Sequence, residues 1–292
     1  MITYSQLYQR LSHLYDIREA QAVVRLLLEM RFGLSLTDIY AGKVTELSAN
    51  DTIELEKMMR RLETGEPIQY VLGQAEFHGY IYKVCPGVLI PRAETAALVD
   101  WIVGSWGQAP DPGLNHRSRP HDPLSVLDIG TGSGCIAVTL ALLLNQAKVT
   151  AWDVSPTALQ VAKENADRHH AEVNVVEQDA LNVQVAGQRW DIIVSNPPYI
   201  AEKERAAMAK NVLDYEPSLA LFVADDDPLL FYRKIAEYAI KSLKNGGKLF
   251  FEINPVYVNN LQTLLSGTGF TDIEVRNDPY GKQRMIKASC KP

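Results

Sequence analysis

The sequence predicts an α/β protein in which a small helical bundle precedes a doubly wound, mostly parallel sheet. Within residues 4–65 the apolar side chains recur at helical spacing, and no glycine-rich motif interrupts them. From residue 124 onward, strand-length apolar runs alternate with helix-length runs, a pattern typical of parallel sheets with helices on both faces. Between the two regions, residues 67–90 are rich in β-branched and aromatic residues and are broken by glycines, which indicates a β-hairpin.

Four short helices account for the N-terminal region. They are predicted over the segments YSQLYQRLSHLY, EAQAVVRLLLEMRFG, SLTDIYAGK and ANDTIELEKMMRRLETGEP. Gly33 and Gly65 are candidate C-terminal stops, and Asn50 or Asp51 is the candidate N-cap of the last helix. Since no motif that carries chemistry occurs here, residues 1–66 are interpreted as a domain that binds a partner or is purely structural.

The remaining elements follow in chain order. A hairpin linker over 67–92 leads into a predicted helix, AETAALVDWIVGSW, and the polar, proline-rich residues 107–123 are expected to form an exposed, mobile loop. The domain 93–292 otherwise alternates strands and helices. The predicted strands are LSVLDIG, KVTAWDV, VNVVEQD, WDIIVSN, KLFFEI, TDIEVRND and QRMIKASC, and the predicted helices are CIAVTLALLLN, SPTALQVAKENADRH, LLFYRKIAEYAIKSLKNGG and VNNLQTLLSGTG.

Composition narrows the possible functions. The chain has 292 residues and no apolar run of about 18 residues, so no membrane span is expected, and its first residues lack the pattern of a secretory signal. Proteins that grip nucleic acid through many phosphates usually carry excess positive charge; the net charge here is −6, so direct nucleic-acid binding is not expected. Three distant cysteines, with no Cys/His cluster, predict a cytoplasmic protein with neither disulfides nor a metal site.

A glycine-rich loop, VLDIGTGSGCIA at 126–137, directly follows a predicted strand and opens a predicted helix. Its glycines, Gly130, Gly132 and Gly134, permit a tight turn and a close approach of a ligand to the backbone. Asp153 follows at the end of the next strand, where an acidic residue binds ribose hydroxyls. NAD enzymes and S-adenosylmethionine (AdoMet) methyltransferases share this arrangement, so the loop alone does not choose between them.

Two further aspartates favour AdoMet over NAD. Asp128 lies two residues before the first glycine, and a carboxylate there suits the cationic amino-acid end of AdoMet better than a pyrophosphate, which it would repel. Asp179 ends the third strand of the alternating region, where its carboxylate is placed to accept a hydrogen bond from the adenine amine.

The segment SNPPYI, residues 195–200, follows the fourth strand of this region with no spacer. Two prolines stiffen it, and the residue before each proline is restricted to extended conformations. Asn196 offers a side-chain carbonyl and Pro197 a backbone carbonyl, and two acceptors in a fixed fork suit a planar NH2 group. Tyr199 offers an aromatic face for packing against that group. The segment therefore predicts methyl transfer to an amide or aromatic amine nitrogen, promoted by positioning and electrostatics rather than by a general base.

Together these motifs resemble class I AdoMet-dependent amino-methyltransferases, and other segments resemble the HemK/PrmC family of protein-glutamine N5-methyltransferases. Those segments are GEPIQYVLGQAEFHGYIYKV, VLIPRAET, EP at 216–217, LAL at 219–221, PLLFYRKI and NGGKLFFEI. The resemblance implies a Rossmann-like, seven-stranded mixed sheet with an antiparallel last strand, after an N-terminal helical domain. It also implies transfer of the AdoMet methyl group to N5 of the glutamine in the Gly-Gly-Gln motif of class I peptide chain release factors, with S-adenosylhomocysteine as product.

The resemblance further implies a role for each site residue. The glycine loop would bind the methionine part of AdoMet through Gly130, Thr131, Gly132, Ser133 and Gly134. Asp153 would hold the ribose and Asp179 the adenine, and Asn196 would also contact the cofactor. The substrate glutamine would be bound by Asn196, Pro197, Pro198 and Tyr199, with Phe77 and residues 90–92 as walls of the site. The helices of residues 1–66 would dock the release factor, and a monomer is expected.

Some positions depart from the family pattern, and other functions compete with it. Ala93 replaces a proline, Ala96 an acid, and Ala180 and Leu181 stand where an aromatic residue often follows the adenine-binding acid; residues 224–229 replace a Gly-x-x-Gly-Leu segment. The alternatives are methylation of a ribosomal-protein glutamine, methylation of a nucleic-acid amine, an AdoMet-sensing adaptor and an NAD dehydrogenase. The excess of acidic over basic residues disfavours a nucleic-acid methyltransferase. The Asn-Pro-Pro-Tyr segment disfavours both the AdoMet-sensing adaptor and the NAD dehydrogenase.

Overall fold

The computed structural model describes residues 2–106, 123–185, 187 and 189–291, so the loop predicted at 107–123 lies outside the described residues except for its last position. The described chain divides into two compact units. The smaller unit comprises the described residues up to Ala75, with Val84–Pro86 and Met208–Tyr215. The larger unit comprises the rest.

The helices and strands are numbered separately in chain order. The α-helices are α1 (Tyr4–Arg10), α2 (Ile17–Phe32), α3 (Leu36–Tyr40), α4 (Ala49–Glu63), α5 (Ile68–Leu72), α6 (Ala93–Trp106), α7 (Cys135–Leu143), α8 (Pro156–Arg168), α9 (Lys210–Tyr215), α10 (Ser218–Leu221), α11 (Leu230–Ser242) and α12 (Val258–Thr268). The strands are β1 (Gln74–Phe77), β2 (Tyr80–Lys83), β3 (Ser125–Ile129), β4 (Lys148–Asp153), β5 (Val173–Glu177), β6 (Trp190–Ser195), β7 (Ile200–Ala201), β8 (Phe222–Val223), β9 (Leu243–Glu252), β10 (Thr271–Asn277) and β11 (Gln283–Ser289). Three 3-10 helices lie at Lys43–Glu46, Glu202–Ala207 and Pro255–Tyr257.

The smaller unit is helical, as predicted. Helix α2 ends at Gly33, which adopts a left-handed conformation with φ +66° that only glycine adopts at little cost. Helix α4 begins earlier than predicted, because Ser48 rather than Asn50 or Asp51 is its N-cap and accepts a hydrogen bond from the Asp51 amide. The core of this unit consists of fully buried apolar side chains from several helices, among them Leu7, Leu11, Val24, Leu27, Leu28, Leu55, Met59 and Leu62.

The hairpin predicted over 67–92 is shorter in the structure. Residues Ile68–Leu72 form helix α5, and strands β1 and β2 occupy only Gln74–Phe77 and Tyr80–Lys83. Pro67 is the N-cap that directly precedes helix α5, and Gly73 follows its last residue in a left-handed conformation with φ +70°. These two end signals prevail over the β-branched and aromatic residues within the helix, whose strand preference depends on context.

The larger unit contains a seven-stranded sheet in the order β10-β11-β9-β6-β3-β4-β5. Strands β9, β6, β3, β4 and β5 run parallel to their neighbours in this group, whereas β11 is antiparallel to both β9 and β10. This confirms the predicted mixed sheet with an antiparallel last strand. One apolar cluster packs α6 and α7 on one face, and a second packs α11 and α12 on the other. Within the described residues, none of the helices combines the length and apolar character needed to span a bilayer.

The register brings the predicted motifs to one edge of this sheet. Ile129 at the end of β3 pairs with both Ser195 of β6 and Trp152 of β4, and Ser195 also pairs with Phe251 of β9. The glycine loop, Asp153 and the Asn-Pro-Pro-Tyr turn therefore all leave the sheet at its carboxyl edge, where ligands bind in open α/β sheets.

Strand β9 starts earlier than the sequence predicted. Helix α11 ends at Ser242, and β9 already begins at Leu243 and passes through Gly246 and Gly247, where the sequence predicts the end of the helix. The pairing with β6 shifts between Trp190 and Ile192 because of these extra residues. A Cβ atom at Gly247 would lie 2.9 Å from the carbonyl oxygen of Lys244, so only glycine permits this close approach of backbone.

Candidate active site

A pocket of 370 Å³ opens at the carboxyl edge of the parallel strands, a volume within the ordinary range for small-molecule sites. It gathers most of the predicted site residues, namely Gly130, Thr131, Gly132, Ser133, Asp153, Asp179, Asn196, Pro197 and Pro198. Among the described residues predicted for the site, Gly134, Tyr199, Phe77 and Asp128 do not line it. Phe77 instead lies buried in an apolar cluster, edge-on to Tyr82.

The glycine loop is anchored to the end of strand β4. The amides of Gly130 and Thr131 both donate to the carbonyl oxygen of Trp152 at 2.9 Å, and the Gly132 amide donates to Asp153 Oδ2 at 2.8 Å. Gly130 and Gly132 have φ angles of +73° and +54°, and a Cβ atom at either position would meet no atom within 4 Å. The loop therefore presents open backbone toward the pocket, in the manner expected of a ligand cradle.

Gly134 supports the loop rather than lining the pocket. Its φ is +79°, and a Cβ atom there would lie 3.0 Å from the Cβ of Ala162 on α8. The loop is also held by the fully buried Asn165, whose side-chain amide donates to the carbonyl oxygen of Ser133 at 2.8 Å. The sequence analysis missed Asn165, which lies in the middle of an amphipathic helix with no motif around it.

Two of the predicted aspartates line the pocket with their carboxylates already oriented. Asp153 Oδ1 accepts from the Ser155 amide at 2.9 Å, besides the bond from Gly132 to its other oxygen. Asp179 accepts from the Leu181 amide at 2.8 Å and from the side-chain amide of Asn182 at 2.6 Å. Each carboxylate oxygen has a further lone pair, so both residues retain acceptor capacity for a ligand.

Asp128 lies beneath the loop, not on the pocket surface. It is fully buried, and its Oδ2 accepts from the hydroxyl of Thr131 at 2.6 Å. Burial raises its pKa to about 7, although the Thr131 hydrogen bond favours the charged form. Asp128 therefore orders Thr131. It does not line the pocket, so the direct contact with the cofactor that the sequence suggested has no support in the structure.

The Asn-Pro-Pro turn is fixed next to the glycine loop. The Ser195 hydroxyl donates to the carbonyl oxygen of Ile129 at 2.7 Å, which ties the end of β6 to the end of β3. Asn196 lies half-buried in the pocket wall, and its side-chain amide makes no hydrogen bond to any described residue. Its donor and acceptor atoms are therefore free for a ligand.

Tyr199 turns away from the pocket and joins a buried network. Its hydroxyl donates to Glu252 Oε1 at 3.0 Å, while Glu252 Oε2 accepts from the Thr95 hydroxyl at 2.6 Å. Burial raises the pKa of both Tyr199 and Glu252. The sequence predicted packing of the Tyr199 ring against the substrate; the structure packs it against the apolar cluster of α11 and α12 instead. Sequence reasoning missed Glu252 and Thr95, although both lie in segments that carry the family resemblance.

A second pairing joins the segment that contains Thr95 to another segment of the family resemblance, EP at 216–217. Arg92 Nη2 lies 2.7 Å from Glu216 Oε1, and the Ile90 amide donates to Glu216 Oε2 at 3.2 Å. Only 1% of the Glu216 side chain is exposed, so its charge is compensated almost entirely by Arg92. Residues Ile90, Pro91 and Arg92, all predicted as walls of the site, line the pocket.

The charge of the pocket is negative. Its ionisable lining consists of Asp153, Asp179, the Glu216-paired Arg92 and the thiol of Cys135, whose pKa burial raises to about 12. Two carboxylates and one neutralised cation favour a positively charged ligand and oppose a pyrophosphate. Among the described residues no group of three or more histidine, cysteine, aspartate or glutamate side chains has the arrangement of a metal site.

Known proteins with similar sequences show the family to which the chain belongs. Residues 116–217 match the family model described as the methyltransferase small domain, and residues 4–73 match the PrmC N-terminal domain. The chain is 45% identical over 282 residues to a release factor glutamine methyltransferase of Bacteroides thetaiotaomicron, covering 96% of each chain. It is also similar to proteins of the same name from Flavobacterium psychrophilum, at 39% identity over 98% of this chain and 97% of that one, and from Chlorobaculum tepidum, at 39% over 91% and 88%. The chain therefore belongs to the release factor glutamine methyltransferase family.

Proposed function

We propose that this protein transfers the methyl group of AdoMet to the side-chain N5 of the glutamine in the Gly-Gly-Gln motif of class I peptide chain release factors, leaving S-adenosylhomocysteine. The observation that carries the proposal is the placement of a free Asn196 side chain and the Pro197 carbonyl in the same pocket as the glycine loop. The family membership supports the reaction class and the release factor as substrate.

The residues present fit AdoMet. The open backbone at Gly130 and Gly132 would leave room for the methionine part, and Thr131 and Ser133 line the pocket beside it. Asp153 would accept from the ribose hydroxyls, and Asp179 would accept from the adenine amine. Leu181, which lines the pocket, would offer the adenine an apolar surface in place of the aromatic residue that is common in the family. When bound, AdoMet supplies a methyl group on a positively charged sulfur, which the net negative lining stabilises.

Asn196 and Pro197 form the fork that receives the substrate amide. Asn196 Oδ1 and the Pro197 carbonyl oxygen each accept one hydrogen of the glutamine NH2 group, and Pro198 stiffens the turn behind them. An amide nitrogen is a weak nucleophile because its lone pair is delocalised. The fork increases its reactivity by holding both N–H bonds and so orienting the lone pair toward the methyl group. As the nitrogen–carbon bond forms, the methyl–sulfur bond breaks with its electron pair left on sulfur, and the nitrogen then releases one of its two protons to solvent.

The charges of the pocket disfavour the competing functions. An NAD pyrophosphate or a nucleic-acid phosphate would enter a pocket whose single cation, Arg92, is already paired with the buried Glu216. A glutamine side chain is neutral, so it is not repelled by the carboxylates that line the pocket. The release factor is preferred over a ribosomal protein because the full-length relatives carry the release factor in their name.

We further propose that residues 1–66 dock the body of the release factor, with 67–92 as linker and 93–292 as the methyltransferase domain. Large apolar side chains of the helical region are exposed, among them Ile17, Leu36, Tyr40 and Ile53, with 43–72% of their surface accessible. Such residues are available to bury against a protein partner. We place the reaction in the cytoplasm and expect the enzyme to act as a monomer.

The function is tested by incubating the protein with methyl-labelled AdoMet and, in parallel, an intact class I release factor and duplex DNA. We expect label on the release factor and none on DNA. A release factor whose motif is changed from Gly-Gly-Gln to Gly-Gly-Ala is the control and should remain unlabelled. Label on DNA, or equal label on the Ala variant, would overturn the proposal.

The docking role is tested by Ile17→Lys and Ile53→Lys, since both side chains are more than half exposed in the helical region. We expect the KM for intact release factor to rise about tenfold, with kcat little changed, because interface positions act on binding. Tyr280→Lys, at a residue 72% exposed in the larger unit, is the matched control. An unchanged KM for both isoleucine variants would refute docking through this surface.

A further inference from the structure

A buried carboxylate is hydrogen-bonded to the last residue of the Asn-Pro-Pro-Tyr turn. Glu252 is the last residue of strand β9 and is 1% exposed. One of its oxygens accepts from the Tyr199 hydroxyl at 3.0 Å and the other from the Thr95 hydroxyl at 2.6 Å. The two donors come from the Asn-Pro-Pro-Tyr turn and from the first turn of α6, so Glu252 joins two segments that are distant in sequence.

The end of strand β9 holds Tyr199 at two points. Asn254, two residues after Glu252, donates through its side-chain amide to the backbone carbonyl oxygen of Tyr199 at 3.2 Å and to Glu204 Oε1 at 3.1 Å. Ser195, just before the turn, pairs with Phe251, just before Glu252. The turn is therefore fixed at its start by sheet pairing and at its end by Glu252 and Asn254.

A buried carboxylate stabilises the fold less than an apolar side chain would, so packing alone does not explain Glu252. A buried carboxylate loses its hydration, and an apolar side chain of similar volume would avoid that loss. The charged groups that face it are Arg284, which favours its ionised form, and Glu94, which opposes it. Arg284 is itself held by Asp278 at 3.4 Å. Since both Glu252 oxygens accept from hydroxyl donors, the ionised carboxylate satisfies Tyr199 and Thr95 at the same time.

We propose that Glu252 is a positioning residue for methyl transfer. By accepting from Tyr199 and Thr95 it holds the Asn-Pro-Pro-Tyr turn so that Asn196 and Pro197 receive the substrate amide in the reactive orientation. Tyr199 then acts through Glu252 rather than by touching the substrate. This inference rests on the proposed function, because the orientation matters only if the fork receives an amide.

The kinetic test uses Tyr199→Phe and Glu252→Gln in the full-length enzyme. Phenylalanine keeps the ring and removes only the hydroxyl, and glutamine keeps the shape but cannot accept from both donors. We expect each variant to lower kcat/KM for the release factor about tenfold, with AdoMet affinity unchanged within about twofold. The double variant should lose no more than either single variant, because both changes break the same contact. If the loss of kcat/KM in the double variant were the product of the two single losses, the proposal would be wrong. An equal loss of AdoMet affinity would also overturn it.

Tyr232→Phe is the matched control. Tyr232 is also a fully buried tyrosine, and its hydroxyl donates to the backbone carbonyl oxygen of Glu252 at 3.0 Å rather than to the side chain. We expect this variant to be less stable yet to keep kcat/KM within about twofold. A tenfold loss in Tyr232→Phe would mean that any damage near Glu252 slows the enzyme, and the positioning role would be wrong.

A second measurement separates this proposal from the proposed function. Hydrogen exchange of the amides of Tyr199, Ile200 and Ala201 needs no acceptor substrate. We expect it to accelerate about tenfold in Tyr199→Phe and Glu252→Gln and to stay unchanged in Tyr232→Phe. Unchanged exchange in the first two variants would refute the positioning role. If the wild-type enzyme labels no release factor, the proposed function fails, while this exchange still decides whether Glu252 orders the turn.

Discussion

Asp153 Oδ2 accepts a hydrogen bond from the backbone amide of Gly132 at 2.8 Å, so the proposed ribose-binding residue and the glycine loop are one structural unit. The other oxygen of Asp153 is held by the Ser155 amide at the start of α8. Both carboxylate oxygens are thus oriented by main-chain donors before any ligand arrives. A preoriented acceptor loses little conformational entropy on binding, which favours affinity.

Replacing Asp153 should weaken cofactor binding. Asp153→Ala removes a charged acceptor and its hold on the Gly132 amide. Since hydrogen bonds to charged groups contribute about 1.5–3 kcal/mol, we expect the Kd for AdoMet to rise roughly 10- to 100-fold. Titration calorimetry measures this directly. Asp153→Asn, which retains one acceptor oxygen, should lose less, and an unchanged affinity in Asp153→Ala would refute the ribose role.

Two of the three glycines of the loop, Gly132 and Gly134, should respond differently to replacement by alanine. In Gly134→Ala the new methyl group would lie 3.0 Å from Ala162 Cβ and the residue would keep φ +79°, so strain and crowding add. We expect a loss of about 2–3 kcal/mol in the free energy of unfolding. Gly132→Ala meets open space and should cost only about 1–2 kcal/mol, from its positive φ. Its larger effect should be on AdoMet affinity, because its methyl group projects from the ligand cradle. Denaturant unfolding and calorimetry separate the two; equal stability losses would contradict the packing role of Gly134.

The buried Asp128 should make stability depend on pH. Its pKa rises from 3.8 to about 7 on folding because of burial. The folded state therefore binds an extra proton between about pH 4 and pH 7, and the contribution of Asp128 to stability falls as the pH rises through that range. The full difference corresponds to roughly 4 kcal/mol.

The test for Asp128 compares the wild type with Asp128→Asn, which does not titrate. The free energy of unfolding of the variant minus that of the wild type should increase between pH 4 and pH 7 and level off above. Urea unfolding at several pH values gives this difference, in which the other titrating groups cancel. A difference that is flat or that decreases with pH would contradict the burial of an ionisable carboxyl group at this site.

Asn196 should affect the reaction rather than cofactor binding. Asn196→Ala removes one arm of the fork while leaving the glycine loop, Asp153 and Asp179 in place. We expect the rate of methyl transfer to fall by at least about 100-fold, which is typical for loss of a preorganised acceptor or donor at a reacting centre. The Kd for AdoMet should stay within about threefold. Parallel loss of rate and affinity would show that Asn196 serves the cofactor and not the substrate.

The sequence predicted the sheet and most of the pocket because these depend on short-range patterns. Asp153, Asp179 and the Asn-Pro-Pro turn all follow apolar strands directly, and parallel strands end at a common edge. Their meeting in one pocket thus follows from strand order alone. The helix Ile68–Leu72 was missed since its residues favour strands, and only its proline and glycine ends decide the conformation.

The roles of Tyr199 and Asp128 depended on contacts that no local pattern reveals. Tyr199 lies 53 residues from Glu252 in the chain, and the bond between them exists because β6 and β9 are neighbours in the sheet. Without that partner, an exposed aromatic face was the natural interpretation. Asp128 was expected to face the ligand because it precedes the glycines, but strand β3 is buried on both faces, so the side chain of Asp128 lies in the core.

The most direct measurement of the central claim is the location of the transferred methyl group by fragmentation mass spectrometry of a release factor treated with AdoMet and the wild-type enzyme. The account predicts one added methyl group on the side chain of the glutamine in the Gly-Gly-Gln motif, with nearly none when Asn196→Ala replaces the wild type. A methyl group on any other residue of the release factor, or an unmodified glutamine after complete reaction with wild-type enzyme, would contradict it.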